Sequence, residues 1–410
     1  DLGPLPLGHV RYITTGAPLP EGADAVAKVE DTAEVWEDAR LLIDIGCTSR
    51  PGANVRQVGS DTAQGEVVLR RGSRVGAGEV GLLAALGIAH VEVHARPRVA
   101  ILSTGDELVD VAKADARDAS RGQVVDCNRP MLRALAIEAG AEALDLGLVG
   151  DEEGQLRARV LAALAAAEIV VTSGGVSRGS KDLMKALLEE LGEVHFGEMC
   201  MKPGKPTTFA TVPAPPTASG SQRPRLVFAL PGNPVSCFVT FKLLVAPAIE
   251  RLHGRPCGAA LYPRVDAELA QAVEMDPVRP EYHRAVARWE GGRILAESTG
   301  FQRSSRVASV AAANCFLEIP RMAGVLPKGT VVPALLLSSG GGDAGLSAEP
   351  GGYPRPGENV AKATAIQTPP PLLPATATPT AAATACTGRS IRHVGILAVG
   401  EEGAVAAQEA

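Results

Sequence analysis

A doubly wound, mostly parallel α/β sheet flanked by two small β-rich domains is the fold predicted by this 410-residue sequence. Three observations predict it. Between Arg98 and about Gly254, short apolar runs alternate with amphipathic helical patterns, the βαβα order of a parallel sheet. Three of those runs open into glycine turns: Val99 to Leu102 into Ser103-Thr104-Gly105-Asp106-Glu107, Ile169 to Thr172 into Ser173-Gly174-Gly175-Val176-Ser177, and Leu226 to Ala229 into Leu230-Pro231-Gly232-Asn233-Pro234-Val235-Ser236. The flanks, Leu5 to Val93 and Tyr262 to Val332, are short apolar stretches broken by Gly and Pro, the punctuation of small β-rich domains.

Within the central region, Asn128 is placed to cap a helix with Pro130 in its first turn and Gly140 past its end, burying Leu132, Leu135 and Ile137. Asp151 is placed to cap the next, whose Leu156, Val160 and Leu164 share a face. Lys181 to Leu191 reads as a third helix, with Leu183, Leu187, Leu188 and Leu191 inward and Gly192 as its stop. Val235 to Leu252 reads as a fourth, and Pro213 to Pro224 as a surface loop. One helical stretch, Ala77 to Leu86, interrupts the first flank. The expected domains are residues 1–94 (β-rich), 95–256 (α/β), 257–336 (β-barrel-like), 337–390 and 391–410. The segment 337–390 is rich in Gly, Pro, Ala and Thr and reads as a disordered linker. The tail run at His393 to Glu402 echoes Arg98 to Glu107, as the first strand of a second sheet domain would.

Composition excludes some classes. A net charge of -6 argues against nucleic acid as the main partner, because phosphate backbones are bound by basic surfaces. Seven cysteines lie scattered, with no close pair of the kind that binds zinc, which fits a reducing, cytosolic setting. No apolar run is long enough to cross a membrane and no signal peptide is legible, so no membrane association is expected.

The chemistry expected is anion binding. A strand that opens into paired glycines presents free N–H groups, and loops at the ends of parallel strands converge on one side. Ser173, Gly174, Gly175, Ser177, Pro231, Gly232, Asn233 and Ser236 are therefore candidate substrate-binding residues. Ser236 is equally suited to capping its helix. Lys202 and Lys205, three residues apart in a proline-held segment, can both reach one anion, or can form a solvated basic turn. Asp106, Glu107 and Asp182 sit at the expected helix starts after such loops, where carboxylates either hold magnesium between phosphate oxygens or simply stabilise the helix. No Ser/His/Asp constellation is legible around His195, His253 or His283.

These motifs, in this order, resemble the gephyrin E-domain/MoeA family of molybdopterin molybdenumtransferases. The likeness runs from about Arg11 to Pro333 through TTGAPLPEGADAV at Thr14 to Val26, STGDEL, DCNR at Asp126 to Arg129, SGGVS, MKPGKPTTF, LPGNPVS, PEYHR at Pro280 to Arg284, and STGFQRSSR at Ser298 to Arg306. It resembles eukaryotic members more than bacterial ones. The resemblance implies a molybdopterin-binding type of sheet domain, a homodimer with a cleft between subunits, adenylated molybdopterin and molybdate as substrates, and AMP as a product. It implies Mg2+ or another divalent cation at Asp182 and Glu107, catalytic roles for Asp182, Glu107, Asp61 and Thr15, and a phosphate and molybdate cradle at Lys202, Lys205 and Ser236. It also implies a further oxyanion contact from Arg284, Ser305 and Ser309, and a molybdopterin adenylyltransferase as functional partner.

Two departures from the family pattern stand out. An Asp-Gly-Tyr-Ala motif and a helical segment are expected upstream of Asp1. Ser180 replaces an acidic residue, and Arg178 replaces a Met or small apolar one. The tail resembles the opening strand of an adenylyltransferase domain. A gephyrin-like scaffold with lost or secondary catalysis is the competing expectation, and a general nucleotide-binding protein, which lacks G-x-G-x-x-G and P-loop patterns here, a third.

Overall fold

The computed structural model describes residues 3–46, 50–113, 122–175, 183–215, 223–256, 258 and 260–337. The tail echo, the linker, and the positions Ser177, Arg178, Ser180 and Asp182 lie outside the described residues. The chain divides into two compact units at Leu86/Gly87.

The first unit contains an antiparallel hairpin, β1 (Thr32–Glu37) and β2 (Arg40–Ile45), paired from Thr32↔Ile45 to Glu37↔Arg40. Its two-residue turn puts Asp38 and Ala39 at φ 46 and 62, the left-handed values that match the twist of the strands. Helix α1 (Ala77–Ala85) starts where Glu79 accepts the Gly76 N–H, at 2.9 Å. Most of the rest is turns, so this unit carries less regular strand than its punctuation predicts.

The second unit begins with β3 (Arg98–Thr104), followed by the short pair β4 (Leu108–Val109) and β5 (Val124–Val125), helix α2 (Asn128–Glu138), strand β6 (Glu142–Val149), helix α3 (Glu153–Ala166) and strand β7 (Ile169–Ser173). Helix α4 (Leu183–Leu191), strands β8 (Glu193–Phe196), β9 (Thr208–Val212) and β10 (Arg225–Leu230), and helices α5 (Pro234–Thr240) and α6 (Ala246–Leu252) complete the sheet region. A π-helical turn at Phe241–Val245 joins α5 to α6.

The sheet order is β6-β3-β7-β10-β9-β8. The first four strands are parallel to one another, β9 runs antiparallel to β10, and β8 runs antiparallel to β9. Alternate residues along β3 and β7 feed opposite faces, because side chains on a strand alternate. Ala100, Leu102 and Val170 pack with Leu156, Val160 and Leu164 of α3 and Met184, Leu187 and Leu188 of α4. Val99, Ile101, Ile169 and Val171 pack with Leu132 and Leu135 of α2 and Phe241, Val245 and Ile249. Burying each such side chain stabilises the fold by about 1.5–3 kcal/mol relative to exposure.

Strands β11 (Arg264–Leu269), β12 (Val273–Met275), β13 (Glu281–Glu290) and β14 (Arg293–Ser298), helix α7 (Ala308–Ala311), and strands β15 (Cys315–Ile319), β16 (Gly324–Leu326) and β17 (Val331–Leu336) follow. They close a barrel in the order β11-β14-β13-β15-β17, with β12 and β16 as a separate ribbon. Met201, Val235, Val239, Val310, Phe316 and Leu337 form an apolar cluster that seats this barrel on α5.

Several local expectations are corrected. Asn128 is the first residue of α2 rather than its cap; Asp126 takes the capping role, accepting the N–H groups of Asn128 and Arg129 at 3.0 and 3.2 Å. Ile137 is exposed, because it lies outside the single buried stripe of α2 formed by Asn128, Arg129, Leu132, Leu135 and Ala136. Glu152, not Asp151, caps α3, accepting from Gly154 and Gln155 at 2.9 and 2.8 Å. Asp106 and Glu107 start no helix, since β3 leads through a turn into β4. Within α4, Met184 is fully buried, while Leu183 and Leu191 are only partly covered.

Candidate functional site

Parallel pairing brings the ends of three strands side by side: Ser103 lies opposite Ser173, and Ser173 opposite Leu230. β3 and β7 are neighbours in space although the chain runs to β6 between them, so the connections diverge here and leave a crevice beyond the strand ends.

The first wall of that crevice is backbone. Gly174 and Gly175 adopt φ of 91 and 70, and the Gly174 N–H donates to Leu230 O at 3.1 Å. A Cβ on Gly174 would come within 2.4 Å of Thr104 O, and one on Gly175 within 2.9 Å of Thr104 Oγ1. Only glycines permit this approach of β7 to β3.

The second wall is the Pro231-Gly232-Asn233 turn. Pro231 is buried, whereas Gly232 and Asn233 are exposed. Asn233 occupies the N-cap of α5 and Pro234 its first turn, so Ser236 is no cap; its side chain lies buried inside that turn. Ser304 O of the barrel accepts the Val235 N–H at 3.0 Å, which ties the STGFQRSSR loop to this helix start.

Asn128 joins the walls. Its Nδ2 donates to Ser173 Oγ at 2.7 Å and to Gly232 O at 2.7 Å. Beneath it, Arg129 is held by Asp126 Oδ2 at 3.2 Å, by Asp145 Oδ2 at 2.5 Å and by Asp110 Oδ2. The hydrogen bond to Asp145 raises the Arg129 pKa above its ordinary value. Burial is the largest influence on the Asp145 carboxyl and pushes it up, but the hydrogen bonds from Arg129 and the Gly147 N–H and the charges of Arg129 and Arg133 together outweigh it and hold the group low. Arg129 is thus a structural cation rather than an anion ligand. The DCNR motif carried both residues in the sequence; their hydrogen-bonding role depends on three strand ends meeting, which no local pattern displays.

The two lysines engage different carboxylates. Lys202 Nζ lies 2.9 Å from Glu281 Oε2 and 3.5 Å from Asp276 Oδ2, while Lys205 Nζ lies 3.6 Å from Glu198 Oε2. Each ammonium is about one-third exposed. The Lys202-Pro203 peptide is cis, where an extended run was expected. Gly204 packs so closely on α5 that a Cβ there would meet Thr240 Cγ2 at 2.5 Å.

Arg284 is fully buried, and burial lowers its pKa to about 10. Its Nε donates to Ser309 Oγ at 3.3 Å and its Nη2 to Arg303 O at 3.4 Å, while Nη1 has no hydrogen-bond partner among the described residues. Ser309 spends its own proton on Arg306 O at 2.7 Å, so it positions Arg284, whereas Ser305 is exposed.

Glu107 is exposed, its carboxylate folded over Gly105 at the crevice mouth, where a Cβ on that glycine would meet Oε2 at 2.6 Å. Asp106 accepts the Asp151 N–H at 3.0 Å. Among the described residues, no three His, Cys, Asp or Glu side chains cluster as metal ligands. In the first unit, Thr15 is exposed in a turn closed by Ala17 N–H to Thr14 O at 3.0 Å, and exposed Asp61 pairs with Arg56 at 2.8 Å.

The fold is that of an α/β sheet protein with a crevice at its strand ends, and comparison with known proteins identifies its family. Residues 100–251 match the family described as a probable molybdopterin binding domain, residues 2–87 the MoeA N-terminal region (domain I and II), and residues 266–337 the MoeA C-terminal region (domain IV). Gephyrin of Dictyostelium discoideum is 40% identical over 79% of this chain and 48% of its own length. The molybdopterin molybdenumtransferase of Haemophilus influenzae is 36% identical over 78% of this chain and 75% of its own. The crystal structure of a molybdopterin biosynthesis MoeA protein from Pyrococcus horikosii superposes with a TM-score of 0.65 at 32% identity, covering 82% of this chain and 78% of that one. The chain belongs to the gephyrin E-domain/MoeA family. It spans about half the length of the Dictyostelium gephyrin.

Proposed function

We propose that this protein is a molybdopterin molybdenumtransferase: it takes adenylated molybdopterin and molybdate, cleaves the pyrophosphate link, and releases molybdenum cofactor and AMP. The observation that carries this reading is the crevice in which the Gly174-Gly175 and Pro231 to Asn233 turns are joined by Asn128. Turns of this kind present backbone N–H groups that suit phosphate oxygens. Lys202, Lys205 and Ser236 serve the phosphate and molybdate cradle, and Arg284 Nη1 offers a donor to an oxyanion. Charge stabilisation and positioning, rather than a covalent intermediate, are what such a donor set supplies.

Glu107 and Asp182 would hold a divalent cation, which supplies neutralisation of the pyrophosphate charge. The fit rests on Glu107, an exposed carboxylate at the crevice mouth, where a hard cation can keep several waters. Thr15 and Asp61 complete the catalytic set in this reading, and Ser305 and Ser309 the oxyanion contact.

A second copy of this chain is the proposed partner in assembly. The hairpin of the first unit leaves Val35 and Leu42 on one face and Trp36, Leu41 and Ile45 on the other, all between 38% and 68% exposed, apolar area of the sort subunits cover. A molybdopterin adenylyltransferase would supply the substrate. No described helix is long and apolar enough to cross a membrane, and a cytosolic place is proposed.

The test is incubation with adenylated molybdopterin, magnesium and molybdate, reading AMP release and reconstitution of a molybdenum-dependent apoenzyme. Molybdate-dependent release is expected. Bound substrate without turnover would instead favour a gephyrin-like scaffold.

A further inference from the structure

Two acidic side chains face Lys202, Glu281 on the barrel strand β13 and Asp276 just past the ribbon strand β12, and the two differ in kind. Glu281 is 3% exposed and opens β13, where its backbone flanks that of Lys202: Lys202 N–H donates to Pro280 O at 2.9 Å and Tyr282 N–H to Lys202 O at 2.8 Å. Its Oε2 is 2.9 Å from Lys202 Nζ and its Oε1 is 3.3 Å from His283 Nδ1. A carboxylate so enclosed cannot release its cation without being left buried and uncompensated. Asp276 is different. Its Oδ1 is committed to a turn, accepting the N–H groups of Val278 and Arg279 at 2.8 and 3.0 Å, and only Oδ2 reaches Lys202, at the longer distance of 3.5 Å. An ammonium has three N–H donors, so one can stay on Glu281 while another passes from Asp276 to a bound anion.

We propose that Glu281 is a positioning residue for the anion site, holding the Lys202 ammonium in place from the barrel, and that Asp276 is the exchangeable partner which an oxyanion displaces. The inference rests on the proposed function only in taking molybdate as the anion. Neither carboxylate touches the reacting atoms. Their effect runs through Lys202, whose segment is already pressed against α5 at Gly204 and Thr240.

Positioning and plain charge balance predict opposite results. Glu281→Leu and Glu281→Gln remove the same negative charge, but only the glutamine keeps an oxygen that accepts from Lys202. With molybdate titrated calorimetrically into the whole protein, Glu281→Leu is expected to bind about tenfold more weakly than the parent, and Glu281→Gln to recover most of that loss. Asp276→Asn keeps the turn acceptor and removes the competitor, so it is expected to bind about threefold more tightly. Equal affinities for the two Glu281 variants, or tighter binding by both, would overturn the positioning role. An unchanged constant for Asp276→Asn would overturn the exchange, and that arm stands even where Glu281→Leu does not fold. A parent protein that binds no molybdate while releasing no AMP would remove the functional reading and this inference together; a parent that binds, with variants that do not differ, removes the inference alone.

Discussion

The Asn128 amide nitrogen sits 2.7 Å from Ser173 Oγ, and the same nitrogen sits 2.7 Å from the Gly232 carbonyl, so one side chain fixes the separation of two glycine turns. Asn128 is only 7% exposed, which means that removing it leaves two polar groups without the donor that served them.

Asn128→Ala should therefore cost about 1–3 kcal/mol in urea unfolding. It should lower AMP release by more than that loss of folded protein explains, because the walls lose their common tie. Asn128→Asp should be worse, since one carboxylate oxygen would face the Gly232 carbonyl. Activity unchanged in Asn128→Ala under conditions where it is fully folded would show that the turns are held apart by packing alone.

Gly174 and Gly232, one from each wall of the crevice, should respond differently to an added methyl group. Gly174→Ala combines a positive φ of 91 with a 2.4 Å approach to Thr104 O, a backbone atom that cannot move aside. A loss of at least about 2 kcal/mol is expected. At Gly232 the nearest atom to such a Cβ is Gly174 Cα at 3.7 Å, ordinary contact distance, so Gly232→Ala should stay within about 1 kcal/mol of the parent. Its effect should fall on substrate affinity, read as a higher KM, because the methyl group enters the crevice mouth.

Arg284 sets stability against function. Its burial lowers the pKa to about 10, so the charged form is disfavoured by the fold. Arg284→Met keeps the length and removes the buried charge, a change that is often neutral or stabilising by about 1–4 kcal/mol. The thermal midpoint should hold or rise while molybdate affinity falls. A variant that unfolds readily would mean that the bonds to Ser309 and Arg303 outweigh the desolvation of the guanidinium.

The mostly parallel sheet follows from features a sequence displays locally, the apolar runs of β3, β7 and β10 that each end in a glycine turn, whereas the order of its strands does not. The positions of the glycines and of Pro234 are dictated by backbone geometry and are readable for the same reason. What was hidden is pairing across distance. Lys202 and Lys205 look like one basic pair in a line of text, yet the barrel residue Glu281 claims the first and Glu198 the second. Asn128 looks like a cap because Asn before a helical run usually is one. Asp126, which also accepts from Ser103 Oγ at 3.2 Å, takes the first N–H groups of the helix, and the Asn128 amide reaches Ser173 instead. The π turn at Phe241–Val245 likewise has no sequence signal, since Phe241 and Val245 satisfy helical spacing either way.

Acid should unfold the second unit through two carboxylates. The folded Glu281 carboxyl lies below its ordinary 4.5: burial pushes it up, and the contacts with His283 and Lys202 together outweigh that push. Asp145 likewise lies below its ordinary 3.8, held there chiefly by Arg129 against the effect of burial. Because both folded values are depressed, the stability they contribute is fully present above the unfolded values. It is lost as pH falls through the folded ones. The thermal midpoint should be flat from about pH 6 to about pH 5 and fall steadily toward about pH 3. Arg129→Leu removes the cation that serves Asp145, Asp126 and Asp110, and leaves the Asp126 side chain, 1% exposed, as an uncompensated buried charge. A loss of about 3–5 kcal/mol at neutral pH is expected. The variant should then be relatively less harmed by acid, because the Arg129 contacts that help hold the Asp145 carboxyl low are gone. An acid profile parallel to that of the parent would place the pH sensitivity elsewhere in the sheet.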